Sequence, residues 1–225
     1  MRNIILITCL AFLFSCNESS EKKTDNTTSD STKTPAVFNP GDTLENLLKI
    51  KDIAELKEIY GEKNVTEDTI WGGEGMFFVG TYLFGRTPNA VVFNWKDTLK
   101  KATPESIVHR ALWDTKKEKH ILTSRWKSRT GIGLGTTLTK LNEINGKPYK
   151  FYGLGWDYGG MLISWEKGKL DGKGVYVTMG AEDVSAAMQK DYTNVCGDSE
   201  RSSSTVSAKK LNPVVFEVTV NNNKN

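Results

Sequence analysis

The chain has 225 residues, 38% hydrophobic and 25% charged, enough for one good-sized core or two small fused units. Its 30 Lys and Arg against 27 Asp and Glu leave a formal net charge of +3, and the basic residues are scattered. No basic stripe marks a nucleic-acid surface, so that class of partner is excluded from the reading.

The first segment reads MRNIILITCLAFLFSCNESSEKK. Arg2 supplies a positive start, and Ile4 to Phe14 is an apolar run of about eleven residues, the length of a leader core and too short for a bilayer-spanning helix. Leu13-Phe14-Ser15-Cys16 has an aliphatic residue three before the cysteine and a small one directly before it. Residues 1–15 are therefore expected to be a signal peptide. The next segment, about 16–40, is rich in Ser, Thr, Asn and charge and cannot bury enough surface to fold. As a coil it would span roughly 25–30 Å.

The globular part is expected at 41–225. Asp52 and Glu55 have capping-box spacing, Ile53, Leu56 and Ile59 share one helical face, and Gly61 suits a helix end. Val91, Phe93 and Trp95 alternate with Asn94 and Lys96, the pattern of a sheet with one wet side. Ile107–Asp114 and His120–Lys127 read as hairpin arms, which would set His120 opposite Trp113. The stretch TGIGLGTTLTKLNEINGKP (130–148) looks at first like a phosphate loop. However, Thr136 stands where a dinucleotide fingerprint needs its third glycine, and no Lys follows Gly135 as a P-loop requires. No nucleotide is expected. Instead Thr136 or Thr137 caps a helix with Leu138, Leu141 and Ile144 on its face, which Gly146 ends and Pro148 keeps from continuing. Met161, Ile163 and Trp165 repeat the alternation of a strand. Val175–Met179 and Val214–Val220 read as further strands, 181–192 as a helix, and 197–208 as an exposed loop.

A repeat runs through these elements. Leu56, Glu58, Ile59, Gly61 and Trp71 recur as Leu141, Glu143, Ile144, Gly146 and Trp156, all at an offset of 85. VVFNWK (91–96) further resembles LISWEK (162–167), with Trp95 answering Trp165. The expected fold is α+β: two related units, about 41–128 and 129–225, each a short helix plus antiparallel strands. Together they would form one antiparallel sheet of about eight strands with helices packed on one face.

Three resemblances follow from these residues. Leu13 to Cys16 resembles the lipobox of bacterial lipoproteins, which implies cleavage before Cys16, a lipidated cysteine, and anchorage in a bilayer, the outer membrane being favoured. Gly135, Thr136, Thr137, Leu141, Gly146 and Pro148 resemble the helix-opening motif of the SmpA/OmlA (BamE) and β-lactamase-inhibitor-like group, whose tandem copies form inhibitor proteins. The first copy lacks the leading glycine and the proline. The runs 73–84 and 153–160 also resemble uncharacterised secreted bacterial proteins.

Catalytic constellations are sparse. Cys196 is the sole cysteine left after the lipidated one, the two histidines His109 and His120 lack companions at metal-ligand spacing, and no G-x-S-x-G elbow occurs. No metal or other cofactor is expected. Glu74 and Asp157 follow the repeat-related tryptophans, and a carboxylate pair beside aromatics is what glycosidases use. Trp71 and Trp156 stand in glycine-rich loops and, with Tyr158 and Phe151, could form an aromatic contact patch. The leading expectation is a non-catalytic, membrane-anchored module that binds an envelope protein or glycan through Trp71, Glu74, Trp156, Asp157 and Tyr158. The alternative is a carbohydrate-active enzyme using Glu74 and Asp157. Because each buried acyl CH₂ adds about 0.8 kcal/mol of membrane affinity, Cys16→Ala is expected to move the protein from the membrane to the soluble fraction. Fractionation with unchanged membrane association refutes the lipid anchor.

Overall fold

Capped helix starts frame the chain. The computed structural model describes residues 43–222, so the leader, Cys16 and the 16–40 tether lie outside the described residues. A single turn, α1 (Leu44–Leu47), precedes α2 (Ile53–Tyr60). The Asp52 carboxylate accepts from the Glu55 amide at 2.9 Å, and the Glu55 carboxylate accepts from the Lys51 amide at 2.6 Å. These bonds satisfy donors that a helix start leaves open. In α3 (Leu138–Asn145) the Thr137 hydroxyl accepts from the Lys140 amide at 3.1 Å. Of the two candidate caps, Thr136 is instead spent on Gly133, bonding both its amide and its carbonyl. Gly146, at φ +73°, takes the left-handed position that ends α3.

The strands are β1 (Val65–Trp71), β2 (Phe77–Leu83), β3 (Val91–Asp97), β4 (Ala102–Arg110), β5 (Leu112–Asp114), β6 (Lys119–Ile121), β7 (Lys150–Tyr152), β8 (Leu162–Ser164), β9 (Val175–Gly180), β10 (Glu200–Ser202) and β11 (Val214–Asn221). Two more helices, α4 (Gln189–Val195) and α5 (Val206–Leu211), lie between β9 and β11. The α+β class and the antiparallel pairing agree with the expectation. A single sheet of about eight strands does not. Six strands form one sheet in the order β1-β2-β3-β4-β11-β9, three form a second in the order β10-β7-β8, and β5-β6 is a separate hairpin. The second sheet meets the first through one bridge, Met161 to Thr178. β8 cannot extend that ladder, because the chain turns back at Trp165, whose carbonyl takes the Gly168 amide at 2.9 Å.

The strand order is mirrored about the β4–β11 contact. Outward on one side come β3, β2 and β1; on the other come β9, then β8 and β7 across the Met161 bridge. The two cap residues, Asp52 and Thr137, are 85 positions apart in sequence. Asp52 bridges to Ala102 at the start of β4, and Thr137 to Val214 at the start of β11. The pairing of Trp95 with Trp165 does not survive this arrangement. Trp95 lies on β3 and Trp165 follows β8, whereas the mirror mate of β3 is β9.

One face of the six-stranded sheet carries the core: Leu83, Val91, Phe93, Ile107 and Val218 are all fully buried or nearly so. Leu44, Leu47, Leu56, Leu138 and Leu141 from the helices are equally buried and belong to the same cluster. Each such side chain contributes roughly 1.5–3 kcal/mol by leaving water. Trp95 and Trp165 are core as their alternation suggests, donating to the Thr81 hydroxyl and the Val175 carbonyl. Asn145, fully buried, donates to the Lys147 and Trp165 carbonyls and accepts from the Leu170 amide, tying α3 to the turn after β8.

Several local expectations are corrected. Ile59 is exposed, one residue off the buried stripe that Leu56 occupies. Met161 and Ile163 are also exposed, and Leu162 turns inward instead. The second hairpin arm is only β6, although Trp113 and His120 do pair across it. Helix in the 181–192 segment starts only at Ala186, as a 3-10 turn (Ala186–Met188) that runs into α4. The 197–208 segment is not an exposed loop: it holds β10, the first turn of α5 and the fully buried Ser203 and Ala208. The Ser203 hydroxyl donates to Asn142 at 2.6 Å and accepts from the Tyr149 amide at 2.8 Å, which stitches this segment to α3 and β7.

His109 is fully buried on the core side of β4, its Nδ1 donating to the Ala90 carbonyl at 2.8 Å. Burial holds the ring's pKa below its ordinary value, with the Ala90 bond opposing. The unfolded chain therefore takes up a proton here at a higher pH than the folded one. The contribution to stability is complete above the ordinary histidine pKa of about 6.5 and is lost as pH falls below it. Thermal unfolding is expected to show a lower Tm at pH 5.5 than at 7.5, with a shallower slope for His109→Gln. Equal slopes refute this role.

Candidate binding site

The β1–β2 hairpin overhangs the sheet. Its register runs from Val65 opposite Leu83 to Trp71 opposite Phe77, yet β2 meets β3 only from Thr81 onward. The last turn of the hairpin therefore has no third strand beside it. Trp71, Phe77 and Val79 are each about two-thirds exposed, and Met76 and Phe78 are also exposed. The Trp71 and Phe77 rings lie 5.3 Å apart, tilted at 48°. Large apolar side chains grouped this far out of the core are uncommon on a folded surface and make this tip a candidate contact surface.

The glycine-rich tip is pinned to the β7–β8 connection. Glu74 sits at φ +57°, and its amide donates to the Asp157 carboxylate at 3.1 Å. A Cβ on Gly73 would stand 3.5 Å from both Asp157 Cβ and the Tyr158 ring, so the two chains are in contact there. Trp156 packs edge-on to Tyr158 at 5.3 Å and to Tyr152 at 5.7 Å, and its indole donates to the Gly153 carbonyl. Trp156 and Asp157 remain exposed and Tyr158 is half-buried. Thus Glu74, Asp157 and Tyr158 share one locus, with Trp71 and Trp156 on its two sides of the chain. Phe151 does not join them: it is fully buried in the core.

A second feature escaped the alternation reading. The sheet face away from the helices is not uniformly wet. Thr66, Tyr82, Val92 and Val108 form a cross-strand row over β1 to β4. Ile70 folds flat over Gly80, where a Cβ would come 2.0 Å from Ile70 Cδ1. Only a residue without Cβ lets that side chain lie down. These residues floor a groove of about 700 Å³. Two ion pairs stand in its lining, Asp68–Arg86 at 3.0 Å and Arg110–Glu217 at 2.5 Å, beside Glu67, Tyr82 and Asn94. Arg86 holds the Asp68 carboxyl below the usual range, helped by the Thr69 amide, and burial pushes the Tyr82 phenol up. The signal in sequence was the doublets Val91–Val92 and Ile107–Val108, which put an apolar residue on each face of two neighbouring strands.

Among the described residues, no group of three or more His, Cys, Asp and Glu stands together to hold a metal, and no helix is long and apolar enough to cross a membrane. Compared with protein-family models, curated proteins and solved structures, the chain matches none.

Asp157→Ala removes the side-chain bond that ties the tip to the β7–β8 connection. Amide exchange at Glu74 is expected to accelerate at least severalfold, because local opening there no longer breaks a charge-assisted bond. The Tm should fall by no more than about 4 °C, the shift of a surface contact in a chain of this size. Unchanged Glu74 exchange refutes the pin.

Proposed function

We propose that this chain is a non-catalytic binding module of the cell envelope, tethered to a membrane through lipidated Cys16. Its contact surface is the pinned loop pair around Trp71 and Trp156. The observation that carries this reading is the Glu74–Asp157 bond, which joins loops from the two halves beside the exposed Trp71 and Phe77. Aromatic side chains that are ordered before contact lose little entropy on binding, which is what makes them dominant anchors. The partner is an envelope protein or glycan, and the outer membrane is the favoured location. The mirrored strand order and the matching cap bridges support an origin by duplication of one helix-plus-four-strand unit.

The second reading, a carbohydrate-active enzyme, is favoured by the meeting of Glu74 and Asp157 at one locus. Both carboxylates are exposed there, an open setting that favours binding over acid–base chemistry, which gains from excluded water.

Crosslinked pull-down from the native envelope tests the proposal. The wild-type chain is expected to capture a partner at stoichiometric yield, and Phe77→Ala or Trp156→Ala should lower that capture at least tenfold, the effect of an anchor worth about 1.4 kcal/mol or more. Equal capture by both variants overturns the assignment of the surface. Release of sugar from envelope glycan that is lost in Glu74→Gln and Asp157→Asn would establish the enzyme instead.

A further inference from the structure

The groove on the open sheet face is a second candidate site, which adjoins the loop pair through Trp71 and Gly72 in its lining. A residue on this face can be polar without harm to the core, yet Ile70, Tyr82, Val92 and Val108 all present apolar surface to it. The volume of about 700 Å³ lies in the range that encloses a small ligand. The lining reaches from β1 to β11, four strand spacings, or about 19 Å at roughly 4.8 Å each. The occupant is therefore elongated or flat and largely apolar.

The polar groups decide its charge. Arg110 engages Glu217 through Nε, and its two terminal nitrogens make no hydrogen bond to another described residue. Arg86 uses one terminal nitrogen on Asp68 and has the same spare donors. Tyr82 lies within electrostatic reach of both Arg110 and Asp68, and its hydroxyl makes no hydrogen bond to another described residue. The carboxylates of the lining are already engaged: Asp68 by Arg86, Glu217 by Arg110, and Glu67 by Lys101. Each carboxylate of the lining is thus paired with a base, while an anion entering the groove would find unused guanidinium donors beside a phenol. Such charge-assisted bonds are about twice as strong as neutral ones.

We propose that this groove binds a small amphipathic anion, its carboxylate or sulfonate head between Arg110 and Tyr82 and its apolar body along Val108, Val92 and Ile70. The site does not depend on the docking role of the loops.

The test is fluorescence titration of the purified chain with cis-parinaric acid, followed by displacement. Saturable one-to-one binding is expected. Palmitate should displace the probe at least tenfold more effectively than hexadecanol or hexadecyltrimethylammonium. Arg110→Gln is expected to weaken probe binding at least tenfold at unchanged Tm, and Arg110→Lys should recover part of the loss. Gly80→Ala, which forces Ile70 up into the groove, should weaken binding independently of charge. Trp156→Ala, outside the groove lining and packed on Tyr152 and Tyr158, should bind the probe as wild type does even where it loses partner capture, so failure of the docking surface and failure of this site are separate results. Non-saturable uptake, equal displacement by hexadecanol, or an unaltered Arg110→Gln titration overturns the proposal. So does loss of envelope-partner capture in Arg110→Gln without any probe binding, which would make the groove part of a protein interface.

Discussion

The sheet depends on its last strand. β11 lies between β4 and β9 and pairs antiparallel with both, so neither neighbour has a complete ladder until the C-terminal residues arrive. The same strand receives the α3 region: the Gly135 amide donates to the Val215 carbonyl, the Val215 amide to Thr136, and the Leu138 amide to Pro213. Related as the two halves are in strand order, they cannot be separate folding units, because the central pair takes one strand from each. Pairings this distant in sequence close late and slow folding.

That central pair also positions both candidate surfaces. Arg110 and Glu217 face one another across β4 and β11, so one end of the groove exists only when the final strand is in place. β1 and β2 are carried outward on β3, and the overhang past Thr81 puts the aromatic tip where the β7–β8 connection can reach it. Asp157 then supplies an acceptor for a Glu74 amide that has no strand partner. The contact is polar and local, and the aromatic rings around it owe their exposure to the absence of a third strand.

Local chemistry was largely legible in the sequence, and pairing was not. Capping at Asp52, the stop at Gly146 and the inward face of Val91, Phe93 and Trp95 all follow from neighbours within a few residues, where periodicity and cap chemistry speak directly. The two caps, Asp52 and Thr137, stand at the same offset of 85 as the matched residues, although cap chemistry alone left Thr136 and Thr137 both open. By contrast, Met161 and Ile163 alternate like a strand but face solvent, because β8 is three residues long and turns away at Trp165. The 197–208 segment is rich in serine, as loops are, yet Ser203 is buried because Asn142 and the Tyr149 amide satisfy its hydroxyl. The placement of Trp71, Glu74, Asp157 and Tyr158 together rests on a contact between loops 83 residues apart, which no local pattern encodes. The groove was missed for a related reason. Its apolar row exists only across strands, so alternation along any one strand does not show it.

The outer edge of β1 carries one further consequence. An overhanging hairpin with an open edge and an apolar tip is a template for another copy of the same chain, since its unpaired backbone groups can extend a sheet. Glu67 and Asp68 sit side by side on that edge and, by strand alternation, project to opposite faces, each held by a base, Lys101 or Arg86. The Asp68 side chain also accepts from the Thr69 amide, occupying a donor that an incoming strand would need. Charge on both faces of the edge guards a molecule that keeps its apolar surface in water against stacking into fibrils.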